Sequence, residues 1–368
     1  MIEQLSSLSV EQKIGQLFFI GIAGPELDEA TRDLLSEISP GGVCLFARNI
    51  KGFSQTRELL DRIRTSSHIE PFLSLDQEGG LVDRLRRIMT PTPAASKLPS
   101  AKSAAEQAAI IGETLGILGF SMDFAPVVDV IDEARGRHSN GLFSRTYGSS
   151  KKDAAEFAGE FLASLQSKKI IGCLKHFPGL GAAQVDSHED LPVVNISAAE
   201  LDGTDLFPYR ELLKTGAVHA VMAAHVCFPD HPLQEKDANG KLLPASLSYS
   251  FITKLLRGNL GFDGLVITDD LEMGAIMRNY GIGEACKMAV LAGVDMLAIC
   301  ADPENIRSGF RAVCDAVKSG EIGIEAIDAS LVRIAKVKAI LAAPPLFYPE
   351  RLDVLSAETA AFAAKIAA

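Results

Sequence analysis

Short apolar runs alternate with longer segments of helical period along most of this chain, and that alternation limits the folds open to it. The apolar runs are rich in Val, Ile, Leu and Ala, which is typical of parallel strands covered on both faces. The predicted strands are residues 14–22, 42–46, 71–75, 122–130, 170–174, 217–224, 264–268 and 294–299. The predicted helices are residues 25–38, 54–65, 101–115, 152–167, 198–214, 248–257, 283–292 and 303–318. Repeated β-then-α units of this kind predict an α/β fold, a single (β/α)8 TIM-type barrel.

A doubly wound open sheet also alternates strands and helices, so the positions of the polar residues decide between the two. Polar side chains come at or just after the C-terminal ends of several predicted strands, namely Asp76, Lys175, His176, His225, Asp269 and Asp270. Strand ends that converge on one mouth indicate a closed barrel, whereas an open sheet binds ligands at a single switch point. We therefore predict a barrel over residues 1–345 and a C-terminal tail, residues 346–368, packed on it as a helix.

Composition indicates a globular protein that acts on a small molecule. The chain has 368 residues, 47% of them hydrophobic, which is enough to bury a large core. Its formal net charge of -11 would repel nucleic acid and anionic membrane surfaces, so neither is an expected partner. The N-terminus lacks the pattern of a signal peptide, and no apolar stretch approaches membrane-spanning length. We expect a cytoplasmic protein that is a monomer or a weak homo-oligomer.

The densest group of titratable residues follows the predicted strand 170–174. Residues 175–181 read Lys-His-Phe-Pro-Gly-Leu-Gly, and Asp186-Ser187-His188 comes shortly after them. An Asp two residues before a His in an extended loop can accept the Nδ1 proton, which fixes the tautomer and leaves Nε2 for a substrate. Such a His titrates near neutrality, so this segment predicts general acid and base catalysis.

Lys175 also admits a different chemistry. A lysine at a strand end of a barrel can be a Schiff-base nucleophile, as in barrel aldolases. That lysine needs a desolvated apolar pocket, whereas Lys175 adjoins His176 and faces a mouth with several acids, which keep a lysine protonated. An aldolase is therefore the alternative from another enzyme class, and a sugar-binding barrel without turnover is the non-catalytic alternative.

Two acidic segments end other predicted strands. Asp269-Asp270 follows a buried apolar run, where a carboxylate could be a nucleophile, a general base or a metal ligand. The plainer interpretation is a helix cap with a solvated neighbour. Residues 76–80 read Asp-Gln-Glu-Gly-Gly, in which Asp76 could hold sugar hydroxyls while the glycines let the backbone approach a ligand closely.

Four separated motifs in this sequence together resemble glycoside hydrolase family 3, in particular its bacterial NagZ-type β-N-acetylglucosaminidases. They are Asp-Gln-Glu-Gly-Gly at 76–80, Lys-His-Phe-Pro-Gly-x-Gly at 175–181, Asp-Ser-His at 186–188 and Thr-Asp-Asp-Leu-x-Met at 268–273. The resemblance runs from about residue 13 to about residue 295. It implies a (β/α)8 barrel and a retaining β-N-acetylhexosaminidase that requires neither a metal nor an organic cofactor.

The resemblance also implies a role for individual residues. Asp269 matches the nucleophile that forms a covalent glycosyl-enzyme, His188 matches the acid/base, and Asp186 matches its dyad partner. The residues that match positions holding the hydroxyls of the non-reducing sugar are Asp76, Arg84, Arg145, Lys175 and His176. Arg145 is included because residues 143–148, Phe-Ser-Arg-Thr-Tyr-Gly, are similar to a Gly-Asp-Arg-Ser-Phe-Gly segment of the family.

The implied substrate is a carbohydrate with terminal β-linked N-acetylglucosamine, and the expected cytoplasmic location points to peptidoglycan-derived muropeptides in cell-wall recycling. Two positions depart from the family pattern, which usually has His where Leu180 stands and Arg where Leu81 stands. Both changes remove polar groups and bear on specificity. A family 3 β-glycosidase or a glycoside phosphorylase of different sugar specificity is therefore the alternative within the same fold.

Overall fold

A ring of eight parallel strands forms the centre of the computed structural model, which describes residues 4–5, 7–136, 142–185, 187 and 189–368. The strands are β1 (Phe18–Gly21), β2 (Gly42–Cys44), β3 (Phe72–Leu75), β4 (Met122–Asp123), β5 (Ile171–Phe177), β6 (Ala220–Ala223), β7 (Leu265–Thr268) and β8 (Leu297–Ile299). Neighbouring strands pair in the order β8-β1-β2-β3-β4-β5-β6-β7. The Thr268 N–H donates to the carbonyl of Met296, the residue before β8, at 3.0 Å, and this bond joins β7 to β8. The ring is closed, as a barrel requires.

Helices surround this ring and shield the outer face of the strands. The longer ones are Val10–Gly15, Glu29–Ile38, Phe53–Ser66, Ala101–Leu118, Lys151–Ser167, Leu206–Leu213, Ile282–Ala292, Pro303–Ser319, Ile324–Lys338 and Pro349–Ala367. Two further segments, Leu201–Asp205 and Ser250–Asn259, are π-helical. Side-chain oxygens of Ser100, Ser150 and Asp302 accept backbone N–H groups in the first turns that follow them, so these polar residues mark where helices begin.

The predicted barrel is confirmed, because each predicted strand overlaps one strand of the ring. The predicted range 170–174 is too short, since β5 extends to Phe177, and two other ranges are much too long. Residues Val10–Gly15 form a helix, started by a capping box between Ser9 and Gln12, so the first strand begins at Phe18 and not at residue 14. Only Met122–Asp123 of the predicted strand 122–130 pairs regularly, since Pro126 has no N–H to donate to a ladder.

Two features of the structure were not predicted from the sequence. Gln77–Gly79 and Val82–Asp83 pair as a short antiparallel hairpin directly after β3. Ile324–Lys338 forms a helix on the outside of the barrel. The division into a barrel of residues 1–345 and a tail of residues 346–368 stays a prediction, and within the second range Pro349–Ala367 is helical.

The C-terminal helix Pro349–Ala367 packs on helix Ala101–Leu118. Arg351 Nε lies 2.6 Å from Glu113 Oε1, and Lys365 Nζ lies 2.9 Å from Glu106 Oε2. The apolar residues Leu352, Leu355 and Phe362 are buried on its inner face. Apolar burial contributes most of this attachment, because exposed ion pairs are worth little.

The described residues contain no helix that is both long enough and apolar enough to span a lipid bilayer.

A buried lysine, Lys338, lies at the N-terminal end of the barrel strands. Its ammonium donates to Gln16 Oε1 at 2.9 Å and sits 5.4 Å from the centre of the Phe72 ring. Burial lowers the pKa of Lys338 to about 7, and Glu70 opposes this only in part. Its hydrogen-bond partner Gln16 is neutral, and no carboxylate of the described residues is bonded to the ammonium, so the rest of the fold must offset the cost of the buried charge.

We expect Lys338→Met to raise the free energy of unfolding at about pH 6 by roughly 2–4 kcal/mol, because it removes a buried charge. The folded-state pKa lies below the ordinary value of 10.5, so the cost is fully present below about pH 7 and disappears as the pH rises towards 10.5. Denaturant unfolding at about pH 6 and about pH 10 measures the difference. Lys336→Met, on an exposed side chain of the same helix, is the control. Equal gains at both pH values would contradict this prediction.

Candidate active site

A cavity of about 380 Å³ opens at the C-terminal ends of the barrel strands. Its volume lies in the range of small-molecule sites, about 300–1,000 Å³. The charged and polar residues among its walls are Asp76, Arg84, Arg145, Lys175, His176, Ser187, Asp269 and Asp270. Residues from different strands of the ring therefore meet at one mouth, as the sequence pattern predicted.

Lys175 is held between two carboxylates at the bottom of this cavity. Its Nζ lies 2.7 Å from Asp76 Oδ1 and 2.6 Å from Glu78 Oε1. The residue is 2% exposed, and burial alone would lower its pKa, but Asp76 and Glu78 raise it above the ordinary value. Lys175 is therefore a permanent cation, which can donate hydrogen bonds to a ligand but has no lone pair for nucleophilic attack.

Asp76 contacts a second cation. Arg84 Nη2 lies 3.2 Å from Asp76 Oδ2, on the side of the carboxylate away from Lys175. Burial would raise the pKa of Asp76, but the charges of Lys175 and Arg84 hold it well below its usual range. The side chain is therefore a carboxylate at any physiological pH, suited to accept bonds from two neighbouring hydroxyls of a sugar.

Glu78 and Arg145 form a bidentate pair beside Lys175. Arg145 Nε donates to Glu78 Oε2 and Nη2 donates to Oε1, both at 2.8 Å. Burial would raise the pKa of Glu78, yet Lys175 and Arg145 lower it to about 2. The pair holds the guanidinium in one plane, because a bidentate contact fixes orientation as well as distance.

His176 lies between an acid and Arg145. Its Nδ1 is 2.6 Å from Asp129 Oδ2, and its Nε2 is 3.3 Å from Arg145 Nη2. A guanidinium has only donors, so Nε2 must be the acceptor and Nδ1 must carry the proton that Asp129 accepts. The contacts therefore assign one neutral tautomer to His176.

Both Lys175 and His176 line the cavity although they are adjacent in the chain. Adjacent residues of a regular strand point to opposite faces. The register of β5 against β6 shifts between Leu174 and Phe177, and the peptide bond between Lys175 and His176 is cis. A register shift at a strand end re-aims side chains, which lets both residues reach the cavity.

Asp269 and Asp270 follow β7, and their environments differ. The Asp270 N–H donates to Asp269 Oδ1 at 2.9 Å, and Asp270 Oδ1 accepts the Glu272 N–H at 3.0 Å. Burial raises the pKa of Asp270 to about 7, and the nearby charges of Glu272 and Asp269 add to the rise. A large share of Asp270 is thus protonated near neutral pH, and a protonated carboxyl is a poor nucleophile.

His225, a polar residue at the end of β6, supports this segment from behind. Its Nε2 lies 3.0 Å from the Asp270 carbonyl oxygen, and its Nδ1 lies 2.7 Å from Ser246 Oγ. The residue is fully buried and is absent from the residues described as lining the cavity. Its position indicates that it holds the backbone after β7.

Asp186 and His188 lie outside the described residues, so their predicted dyad stays a prediction. Ser187, between them in the chain, lines the cavity, and its carbonyl accepts the Ala275 N–H at 3.2 Å. The roles predicted for Asp76, Arg84, Arg145, Lys175, His176 and Asp269 also stay predictions. What the geometry adds is that these side chains share one cavity.

The two departures from the family pattern occupy different places. Leu81 is 70% exposed at the rim of the cavity, whereas Leu180 is 4% exposed in its wall. The Leu180 N–H donates to Asp129 Oδ1 at 2.6 Å. Leu81 is therefore placed to contact groups that project out of the cavity, whereas Leu180 helps to hold the loop in place.

Sequence reasoning assigned no role to two acids that organise the site, Glu78 and Asp129. Glu78 was visible as the second acid of the 76–80 motif, and Asp129 is the last residue but one of the predicted strand 122–130. The signal for both was their position at the carboxyl end of a strand. Among the described residues, no group of three or more His, Cys, Asp or Glu side chains is placed to hold a metal ion.

Comparisons with known proteins agree with this geometry. The sequence profile of the glycosyl hydrolase family 3 N-terminal domain matches residues 9–337. A Beta-hexosaminidase from Tolumonas auensis is 32% identical over 305 residues, which cover 82% of this chain and 86% of that protein. A Beta-hexosaminidase from Pseudomonas aeruginosa is 34% identical over 292 residues, covering 77% and 82%.

A solved structure, a glycoside hydrolase family 3 beta-N-acetylglucosaminidase from Paenibacillus sp. str. FPU-7, superposes with a TM-score of 0.87 at 34% identity. The superposition covers 97% of this chain and 69% of that one. The fold, the cavity at the strand ends and the profile match lead to one assignment. This chain belongs to glycoside hydrolase family 3.

Proposed function

We propose that this protein is a retaining β-N-acetylhexosaminidase, which hydrolyses terminal β-linked N-acetylglucosamine through a covalent glycosyl-aspartate. One observation carries the proposal: Asp269 shares a 380 Å³ cavity with a fixed cluster of Asp76, Lys175, Arg145 and His176. The relatives named Beta-hexosaminidase and the solved family 3 beta-N-acetylglucosaminidase support the sugar class.

The buried cluster suits the terminal sugar of the substrate. Asp76 can accept hydrogen bonds from hydroxyls, while Lys175 and Arg145 can donate to them. Their mutual ion pairs hold these groups in place before the substrate arrives, so little ordering is required on binding. A cavity of about 380 Å³ at the barrel mouth can admit the end of a sugar chain, which fits release of a terminal residue.

Asp269 is the proposed nucleophile. Its carboxylate attacks the anomeric carbon, the bond to the aglycone oxygen breaks, and that oxygen takes a proton from His188. Water then gives a proton to His188 and displaces Asp269 from the sugar, so two inversions retain the β configuration. Asp186 orients His188 throughout. The raised pKa of Asp270 favours its neighbour for the nucleophilic role.

The finer identity of the substrate is also a proposal. We infer that the sugar is released from peptidoglycan-derived muropeptides in the cytoplasm during cell-wall recycling. The bacterial relatives and the net charge of -11, which disfavours binding to anionic surfaces, support this assignment. A family 3 β-glycosidase or phosphorylase of different sugar specificity is the alternative for the same site.

The Schiff-base alternative for Lys175 is disfavoured by its surroundings. A Schiff base forms from a neutral amine, whereas two carboxylates within 2.7 Å raise the pKa of Lys175. Treatment with borohydride in the presence of a carbonyl substrate would leave a stable adduct on Lys175 if this alternative applied.

Asp269→Asn is expected to lower kcat on 4-nitrophenyl β-N-acetylglucosaminide by about a thousandfold or more, because an amide is no nucleophile. Hydrolysis is measured beside the matching β-glucoside and β-xyloside, with and without phosphate. Asp270→Asn is the matched control and should lose far less. A larger loss in Asp270→Asn would transfer the role, and a rate that requires phosphate would indicate a phosphorylase.

His188→Ala should slow poor leaving groups much more than activated aryl glycosides, since only the former need a proton in the transition state. The ratio of kcat/KM for an N-acetylglucosamine disaccharide to kcat/KM for the nitrophenyl glycoside is the measurement. We expect this ratio to fall by about 10²-fold or more relative to the unmodified enzyme. Equal losses on both substrates would remove His188 from the role of acid.

A further inference from the structure

Asp129 is a buried acid that contacts two parts of the site at once. It is 1% exposed and follows β4 at the carboxyl end of the barrel. Its Oδ2 accepts the Nδ1 proton of His176 at 2.6 Å, and its Oδ1 accepts the Leu180 N–H at 2.6 Å. Asp129 is not among the residues that line the cavity, so it is not placed to touch a substrate.

We propose that Asp129 is a positioning residue for glycoside hydrolysis: it sets the tautomer of His176 and ties down the start of the loop that carries Asp186 and His188. The proposal rests on the function proposed above. It deepens that function by assigning the sugar-binding residues His176 and Arg145 a common support.

The position of the proton on His176 depends on the groups that face its two ring nitrogens. With Asp129 accepting at Nδ1, Nε2 has a free lone pair and can accept from Arg145 Nη2, 3.3 Å away. Without Asp129, the proton could move to Nε2, where it would face the N–H of a guanidinium. Two donors facing each other repel, so His176 or Arg145 would turn away.

The donors of Arg145 are divided between two partners. Its Nε and one hydrogen of its Nη2 form hydrogen bonds with Glu78, and the second hydrogen of Nη2 points to His176. Within the described part of the chain, Nη1 is then the nitrogen of this guanidinium without a protein acceptor. Arg145 lines the cavity, so the tautomer of His176 would affect how this guanidinium is presented to a sugar bound there.

The start of the loop, residues 179–181, packs closely against its surroundings on two sides. The backbone of residues 180–181 runs against Asp129 and Val130, because a Cβ on Gly181 would lie 2.0 Å from the Val130 carbonyl oxygen. On the other side, a Cβ atom added to Gly179 would lie 2.6 Å from the Cβ atom of Asp205. The loop thus begins in a narrow channel, and the bond from Leu180 to Asp129 is its attachment on the cavity side.

Asp205 provides a matched control. It is also a buried acid that packs on the same loop, and Arg135 holds it with contacts of 2.7 and 2.9 Å. No contact joins it to His176 among the described residues. A change at Asp205 therefore disturbs the support of the loop without changing what His176 Nδ1 faces.

The test compares Asp129→Ala, Asp205→Ala and His176→Ala with the double variant Asp129→Ala/His176→Ala. We expect Asp129→Ala to lower kcat/KM on 4-nitrophenyl β-N-acetylglucosaminide by about 10- to 100-fold, the range for partners that orient a functional histidine. In the His176→Ala background the same change should cost less than about threefold, because the group through which it acts is gone.

A spectroscopic measurement reads the tautomer itself. In protein labelled with ¹⁵N-histidine, the His176 signals, identified by their loss in His176→Ala, should show the proton on Nδ1 in the wild type and in Asp205→Ala. In Asp129→Ala this single tautomer should be lost. Asp129→Asn is the second variant: its amide oxygen can accept the Leu180 N–H while its NH2 group donates to His176 Nδ1, which places the histidine proton on Nε2. This variant should therefore show the Nε2 tautomer and lose at least as much kcat/KM as Asp129→Ala.

Two results would overturn the proposal. One is a loss of kcat/KM from Asp129→Ala that is the same with and without His176, which would make Asp129 a support of the loop alone. The other is an Nε2-protonated His176 in the wild type. If the wild type hydrolyses none of the glycosides, the proposed function fails, while the ¹⁵N signals still test the tautomer.

Discussion

The burial of the Lys175 ammonium between two carboxylates is the interaction on which the rest of the site depends. An unpaired ammonium at 2% exposure would cost several kcal/mol. Asp76 and Glu78 offset that cost, and each of them pairs with an arginine in turn. Removal of one member leaves another charge buried and unpaired, so the cluster is maintained as a unit. The closed barrel makes this possible because its strand ends converge on one point.

This cluster also separates two chemical tasks at the mouth. The charges of the cluster are fixed by one another and do not change protonation near neutral pH, as the low pKa of Glu78 and the raised pKa of Lys175 indicate. The acids after β7 are different, since burial raises the pKa of Asp270 to about 7 beside Asp269. Binding can thus be constant with pH while the chemistry is not, and a pH dependence of the rate would come from groups outside the cluster, among them Asp270 and the proposed acid/base His188.

Much of this arrangement could be predicted from the sequence, for physical reasons. Apolar runs that end in polar residues predicted the ring and placed Asp76, Lys175 and Asp269 at its mouth. This was possible because the pattern of a buried strand, and the end at which it stops, lie in a few consecutive residues. Asp129 was not assigned a role, because its partners His176 and Leu180 are some fifty residues away and no local pattern records that distance. Helix Ile324–Lys338 was missed because it follows helix Pro303–Ser319 without a strand between them, so it lies outside the repeated β-then-α pattern.

Leu180 shows how the loop can stay attached although its side chain is apolar where the family usually has His. The attachment seen here uses the backbone N–H of Leu180, which Asp129 accepts, and every residue except proline offers that donor. The Leu180 side chain is buried in the cavity wall, so it contributes apolar contact in place of a polar one. Leu81 differs, because it is largely exposed at the rim, where the group leaving the sugar would project. In the proposed reaction, selectivity for the terminal sugar would therefore depend on the buried charged cluster, and selectivity for the aglycone on the rim around Leu81.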